Sequence, residues 1–265
     1  GLYSDETEAG FTRLIRGIKD LGPSRIAVQL GHAGRKAGVA RPWEGGKPLS
    51  PDEGGWNRLG PSSLPFAPDW PTPAEAGPQD LERLCQSFVQ AATRAVRAGI
   101  DAVELHIAHG YLLHQFLSPL SNQRTDLYGG SLVNRMRFPL AVVAEVRGVL
   151  PSDMPLGVRI SATDWIEGGF TLDEALVFVA KCRNEGIDYV CVSSGGLAPD
   201  AKIPIGPGYQ IPLAERVHRD TGVPTRAVGL IADPRQAEAV LAHDQADMVA
   251  LGRAFLNDPR WVWRA

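Results

Sequence analysis

The chain has 265 residues, 44% apolar and 22% charged, with a net charge of −3 and a pI near 6.1. That length suits one α/β barrel or sandwich, or two small domains, with enough apolar surface for a real core. No basic stripe or polybasic cluster marks a nucleic-acid or anionic-membrane partner, and no segment reads as a membrane span or signal peptide.

Short β-branched runs alternate with amphipathic stretches. TEAGFTRLIRGIKDL (7–21) reads as a helix stopped by Gly22, and RIAVQL (25–30) as the first strand. The following GHAGRK (31–36) is glycine-rich and basic but matches neither the dinucleotide nor the P-loop fingerprint. Arg41 to Pro78 carries nine of the 21 prolines and keeps no helix period. It reads as a long loop over one mouth of the domain, either a binding lid or a surface excursion.

LERLCQSFVQAATRAVRAG (81–99) is helical, AVELH (102–106) a strand and LVNRMRFPLAVVAEVRGVL (132–150) a helix. LGVRIS (156–161) is a strand, and TLDEALVFVAKCRNEG (171–186) a helix with Thr171 and Glu174 as a capping box. YVCVSS (189–194), IPLAERVHRDTG (211–222), TRAV (225–228), DPRQAEAVLAHD (233–244) and MVALG (248–252) continue the alternation. Strands that alternate with helices in this way are parallel and joined by right-handed crossovers. Polar residues gather at the C-terminal ends of separate strands: Gln29, His106, Arg159, Ser193 and Arg253. That pattern favours a barrel over an open doubly wound sheet. Six strands are legible where a closed barrel needs about eight. The chain begins at Gly1 rather than Met and stops at RWVWRA within a helical pattern. It is therefore expected to be a piece of a longer polypeptide, with two strands before Gly1. Cys85, Cys182 and Cys191 form no C-x-x-C. Cys191, inside an apolar run, reads as a reduced core thiol, and a reducing compartment fits.

HIAHGYLLHQFLSPLSNQRTDLYGGS (106–131) holds the densest polar chemistry. His106 ends a strand and His109 follows three residues later, so a turn aims both imidazoles at one point. The pair reads as an N–H fork for a carbonyl oxygen or phenolate, as a zinc site with His114 as third ligand, or as a hydrogen-bonded strand end. Tyr111 is a poor base but a usable proton donor to a developing carbanion. Glu104 shares the face of His106 and reads as a base or as a buried partner for a basic residue. Arg159 reads as a cation that holds a developing negative charge, or as the other half of a salt bridge to Glu104. Gln29 offers donor and acceptor to a flat heterocycle. AVGLIADP (227–234) and ALGRAFLNDP (250–259) each run from strand through glycine toward a helix start. With Gly229, Gly252 and Arg253 these turns form a candidate phosphate cradle, or two ordinary βα turns.

VQLGHAGRK, ELHIAHGYLLHQFLSPLSNQRTDLYGGSLVNRMRF, GVRIS and ALGRAFLNDP resemble the Old Yellow Enzyme family of FMN-dependent NAD(P)H oxidoreductases. RKAGVARPWEGG is similar to the bacterial subclass that holds xenobiotic reductases and thermophilic-like ene-reductases. The resemblance implies a (β/α)8 TIM barrel. Residues 1–265 would form a single partial FMN-binding domain, with an irregular excursion at 31–78. It implies FMN as prosthetic group and NADPH or NADH as reductant. Gln29 and Arg159 would lie at the flavin pyrimidine edge, Gly252 and Arg253 on its phosphate, with Gly229 and Ser193 adding contacts. His106 and His109 would bind the substrate carbonyl, and Tyr111 would protonate its α-carbon. NAD(P)H would reduce the flavin, and the flavin would reduce the activated C=C of enones and related alkenes, in a ping-pong scheme. Arg124, Asp126 and Tyr128 would be a scaffold network. The resemblance points to a cytoplasmic enzyme with no nucleic-acid, membrane or metal partner, and admits a homo-oligomer, dimer or tetramer, for the full-length protein. The competing readings are a truncated or non-catalytic barrel fragment unable to hold FMN alone, and a metal-dependent barrel hydrolase.

Overall fold

A computed structural model describes residues 1–265. In chain order its elements are α1 (Asp5–Leu21), β1 (Ala27–Leu30), β2 (Leu59–Gly60), β3 (Ala74–Glu75), α2 (Pro78–Arg97), β4 (Ala102–Ile107), α3 (Leu112–Leu117) and α4 (Leu132–Val149). There follow β5 (Leu156–Ser161), α5 (Leu172–Asn184), β6 (Tyr189–Ser193), α6 (Ile211–Thr221), β7 (Thr225–Val228), α7 (Pro234–Ala242), β8 (Met248–Ala250), α8 (Arg253–Asn257) and α9 (Trp261–Arg264). Six strands form one parallel sheet in the order β1-β4-β5-β6-β7-β8. Because the order follows the chain, no topological switch point exists, and the doubly wound alternative falls. The curled sheet with its helices is a (β/α)8 barrel short of two strands. No helix is long and apolar enough to cross a membrane.

Alternation along each strand divides the chemistry. Val103, Leu105 and Ile107, with Val158, Ile160, Val190 and Val192, are fully buried and join one cluster with Phe88, Val142, Val143, Phe178 and Val179 of the helices. The other face carries polar groups. His106 lies opposite Arg159, Arg159 opposite Cys191, and Cys191 opposite Arg226, so residues paired in register share that face across four strands. Cys85, Cys182 and Cys191 are free thiols.

The stretch from 31 to 78 holds three short 3₁₀ turns and the two-residue strands β2 and β3, which pair in parallel. Buried arginines tie it down by donating to backbone carbonyls. Arg35 reaches Pro65 at 3.2 Å and Leu197 at 2.9 Å, Arg58 reaches Gly38 at 2.7 Å, and Arg124 reaches Pro61 and Ala76 at 2.9 Å each. Guanidinium, with five donors, suits this bracing. Arg124 also pairs with Asp126 at 2.6 Å and lies over Tyr128, the scaffold network anticipated for these residues.

A second brace lies under the β4–α3 turn. His114 is fully buried; its Nδ1 accepts from the Gly110 N–H at 2.9 Å and its Nε2 faces Asp164 Oδ1 at 2.9 Å. Asp164 also accepts from Ser118 Oγ at 2.6 Å and from the Phe170 N–H at 2.7 Å. Burial alone would raise this carboxyl, but His114, Ser118 and the Phe170 N–H together hold it below the usual carboxylate range. Fully buried beneath the turn, with Nδ1 on Gly110 and Nε2 against Asp164, His114 is a structural strut. Asp164→Ala is expected to cost about 3 kcal/mol or more of stability, since it leaves buried donors unpaired. An unchanged urea-unfolding midpoint would contradict the strut.

Candidate active site

The β4–α3 turn brings the central residues together. His106, at the end of β4, is 6% exposed. His109 takes a left-handed backbone (φ 58°), a strained choice for a residue with a Cβ, and Gly110 follows at φ 70°. Close approach of the loop after β6 explains the glycines. A Cβ on Gly110 would sit 2.3 Å from Gly196 O, and one on Gly196 would sit 2.7 Å from His109 Cα. Hydrogen bonds hold the turn: Ser161 Oγ accepts from the His109 N–H at 2.9 Å and donates to Gly195 O at 2.8 Å.

The imidazoles converge. His109 Nδ1 lies 3.3 Å from His106 Nε2, and the ring centroids are 5.0 Å apart. On its other side His109 Nε2 lies 2.7 Å from Ser193 Oγ. Ser193 donates to Gln210 Oε1 at 3.2 Å, Ser194 donates to the same oxygen at 2.7 Å, and Gln210 Nε2 donates to Val228 O at 2.9 Å. The hydroxyl of Ser193 is therefore engaged within the protein. His106 Nδ1 is buried without a partner. Tyr111 starts α3 with its ring edge-on to His106, centroids 5.0 Å apart, and its hydroxyl makes no bond to the protein.

Arg159 neighbours His106 in register, and its Nε is buried with no partner. It does not pair with Glu104, whose oxygens instead accept from Gln29 Nε2 at 2.7 Å and from Arg226. Burial, then the Arg159 charge, pushes His106 down to about 4 and His109 down to about 3. The site thus presents two neutral imidazoles, an unpaired guanidinium, a free phenol and the free Oε1 of Gln29. It offers hydrogen bonds and the Arg159 charge to a ligand that brings the negative end.

Lys36 and Gln210 are members that sequence reasoning passed over. Lys36 Nζ donates to His109 O at 3.0 Å and Gly196 O at 3.1 Å, and lies 4.5 Å from the Phe66 ring centroid and 5.5 Å from that of Tyr111. Burial, then neighbouring Arg35, lowers its ammonium to about 8. Its position in a basic GHAGRK segment at a strand end was the available signal. Gln210 precedes α6 and carried none. Phe66 brings the proline-rich excursion to the wall of the site.

Gly229 and Gly252 follow paired strands, β7 and β8. Gly229 is tightly enclosed (φ 128°), and an added Cβ would meet Gln210 Nε2 at 2.8 Å. Gly252 is open, and Arg253 begins the short α8. The two ends differ from expectation in one respect. α7 starts at Pro234 rather than directly after Gly229, and its first turn is already capped by Asp233, which accepts from the Arg235 N–H at 2.8 Å. A short helix, α8, follows β8 directly.

Histidine-selective NMR is expected to find His106 and His109 neutral throughout pH 5–8, titrating near 4 and 3. The unfolded imidazoles take up protons first as pH falls below about 6.5, so stability declines from there toward pH 3. A midpoint near 6.5 for either ring would contradict its burial beside Arg159.

The whole chain, residues 1–265, matches the family model described as NADH:flavin oxidoreductase / NADH oxidase. It is 43% identical over 265 residues to an NADPH dehydrogenase of Geobacillus thermodenitrificans (strain NG80-2), covering all of this chain and 72% of that protein. Among solved structures, 2-naphthoyl-CoA reductase superposes with a TM-score of 0.84 at 28% identity, over 98% of this chain, which spans only 40% of that larger chain. Morphinone reductase superposes with a TM-score of 0.77 at 28% identity, over all of this chain and 72% of its own.

Proposed function

Since the chain belongs to the NADH:flavin oxidoreductase / NADH oxidase family, as the Old Yellow Enzyme resemblance implied, we propose that its flavin chemistry is the reduction of activated C=C bonds by an NADPH dehydrogenase of the ene-reductase type. The observation that carries this reading is the unpaired Arg159 beside two neutral imidazoles and a free tyrosine hydroxyl.

The residues present fit FMN. An isoalloxazine edge presents N–H beside carbonyl oxygens and becomes anionic on reduction. Gln29 Oε1 is the free acceptor for the N–H, and Arg159, with its orphaned buried Nε, is the cation for the anionic end. Gly229, Gly252 and Arg253 would hold the phosphate, with Ser193 nearby but turned toward His109. Bound FMN supplies two-electron chemistry, accepting hydride from NAD(P)H and passing it to the alkene.

The chain's own residues do the rest. His106 and His109 bind the carbonyl oxygen of the substrate and polarise the conjugated bond: His106 Nε2 gives up its contact with His109 Nδ1, and His109 donates from Nδ1 once the Ser193 hydroxyl turns from Gln210 to donate to His109 Nε2. Being neutral, they bind an uncharged carbonyl as donors and leave the positive charge to Arg159 and Lys36. Tyr111 gives its phenolic proton to the α-carbon, which phenol acidity permits once a carbanion develops there. Lys36 supports the turn from His109 O. The substrates are small enones, and a homo-oligomer is part of the proposal for the full-length protein.

The protein is expected to purify yellow, to bleach anaerobically with NADPH and to recover its colour with an enone; a bleached sample that an enone leaves unchanged would contradict alkene reduction. Tyr111→Phe is expected to slow alkene reduction about a hundredfold while leaving flavin reduction by NADPH nearly intact. Equal losses in both half-reactions would remove its role as proton donor.

A further inference from the structure

Beneath the candidate site lies a buried charge pair whose placement governs what the site presents. Glu104 stands two residues before His106 on the same face of β4 and is 4% exposed. It sits opposite Gly157 on β5, so Arg159 is two residues further along the same face of the adjacent strand. A buried carboxylate needs a partner, and Arg159 is the nearest cation that strand geometry offers. The carboxylate is nevertheless taken elsewhere. Arg226 reaches it from β7, across β5 and β6, with its guanidinium 5.0 Å from the centre of the Tyr189 ring. Gly157 makes the space for that ring, since a Cβ there would lie 2.1 Å from Tyr189 Cζ. The second carboxylate oxygen accepts from Gln29 Nε2 at 2.7 Å, which leaves Gln29 Oε1 as the outward atom.

We propose that Arg226 is a positioning residue of this site. By holding Glu104 it leaves Arg159 its full charge and keeps Gln29 turned with its acceptor toward the ligand. The proposal rests on the reading that Arg159 and Gln29 face the FMN pyrimidine edge. Without Arg226, Glu104 turns to Arg159 and cancels the charge that favours the anionic reduced flavin, while Gln29 loses its fixed orientation.

The test uses the purified holoprotein and reads FMN affinity, by flavin fluorescence quenching, and flavin midpoint potential. Arg226→Met is expected to weaken FMN binding about tenfold and to lower the potential. Arg226→Lys, which keeps a charge for Glu104, is expected to retain both values. In the double variant Glu104→Gln/Arg226→Met no carboxylate remains to neutralise Arg159, and both values are expected to return close to wild type. Should Arg226→Met fail to fold, Arg226→Gln is read in its place: a lowered potential supports the role and an unchanged one overturns it. Arg159→Met separates the two levels of the argument. If it changes neither affinity nor potential, the placement of Arg159 at the flavin is wrong. If it changes both while Arg226→Met changes neither, Arg226 has no such role.

Discussion

A guanidinium without a counter-charge is costly at the end of a strand, and the arrangement around Arg159 keeps it in that condition. Glu104, on the same face of the adjacent strand, is bound on both oxygens by other groups. The neighbours of Arg159, buried His106 and half-buried His109, do not share the charge, being held neutral by loss of solvent and by the guanidinium itself. The favourable term that balances this arrangement comes from a bound negative or electron-rich group. A family built on flavin chemistry supplies such a group, because a reduced flavin carries negative charge at one edge.

The histidine turn is the second costly feature, and many weak contacts support it. His109 holds a left-handed backbone that Ser161 fixes from below, Lys36 from the carbonyl side and Ser193 from the ring. The His114–Asp164 strut anchors Gly110 from the opposite face. Gln210 joins the support at the end of β6 to the carbonyl of Val228 at the end of β7. One side chain thus links the wall behind His109 to the turn proposed for the phosphate. Neutral, rigid donors are suited to polarising a carbonyl, since they need little reorganisation as charge develops.

Much of this was legible in the sequence because β-branched runs and polar strand ends are local signals. All six strands of the main sheet fall where the apolar runs place them, and the longer helices follow the 3.6-residue period. The short α3 escaped notice because all six of its residues are buried, so it shows no polar face and no period. The far end of the excursion is held by Arg124, distant in the chain, which donates to Pro61 and Ala76 and which no local pattern reveals. The partner of Glu104 was hidden for the same reason. Strand spacing pointed to Arg159, whereas the inward register of β7 and the space left by Gly157 bring Arg226 to it. His106, His109 and Tyr111 were found through their spacing in one turn, but Lys36 and Gln210 act through bonds to backbone and hydroxyl groups that only folding brings near.

The central claim is that Arg159 and the two imidazoles face one ligand-filled space from different strands. A crystal structure of the FMN-loaded protein with a bound phenol tests it most directly. The account predicts the phenol oxygen within about 3 Å of nitrogens on both His106 and His109, with Arg159 against the cofactor and no carboxylate beside it. A phenol bound away from the histidines, or Arg159 ion-paired to Glu104 with the cofactor elsewhere, would contradict it.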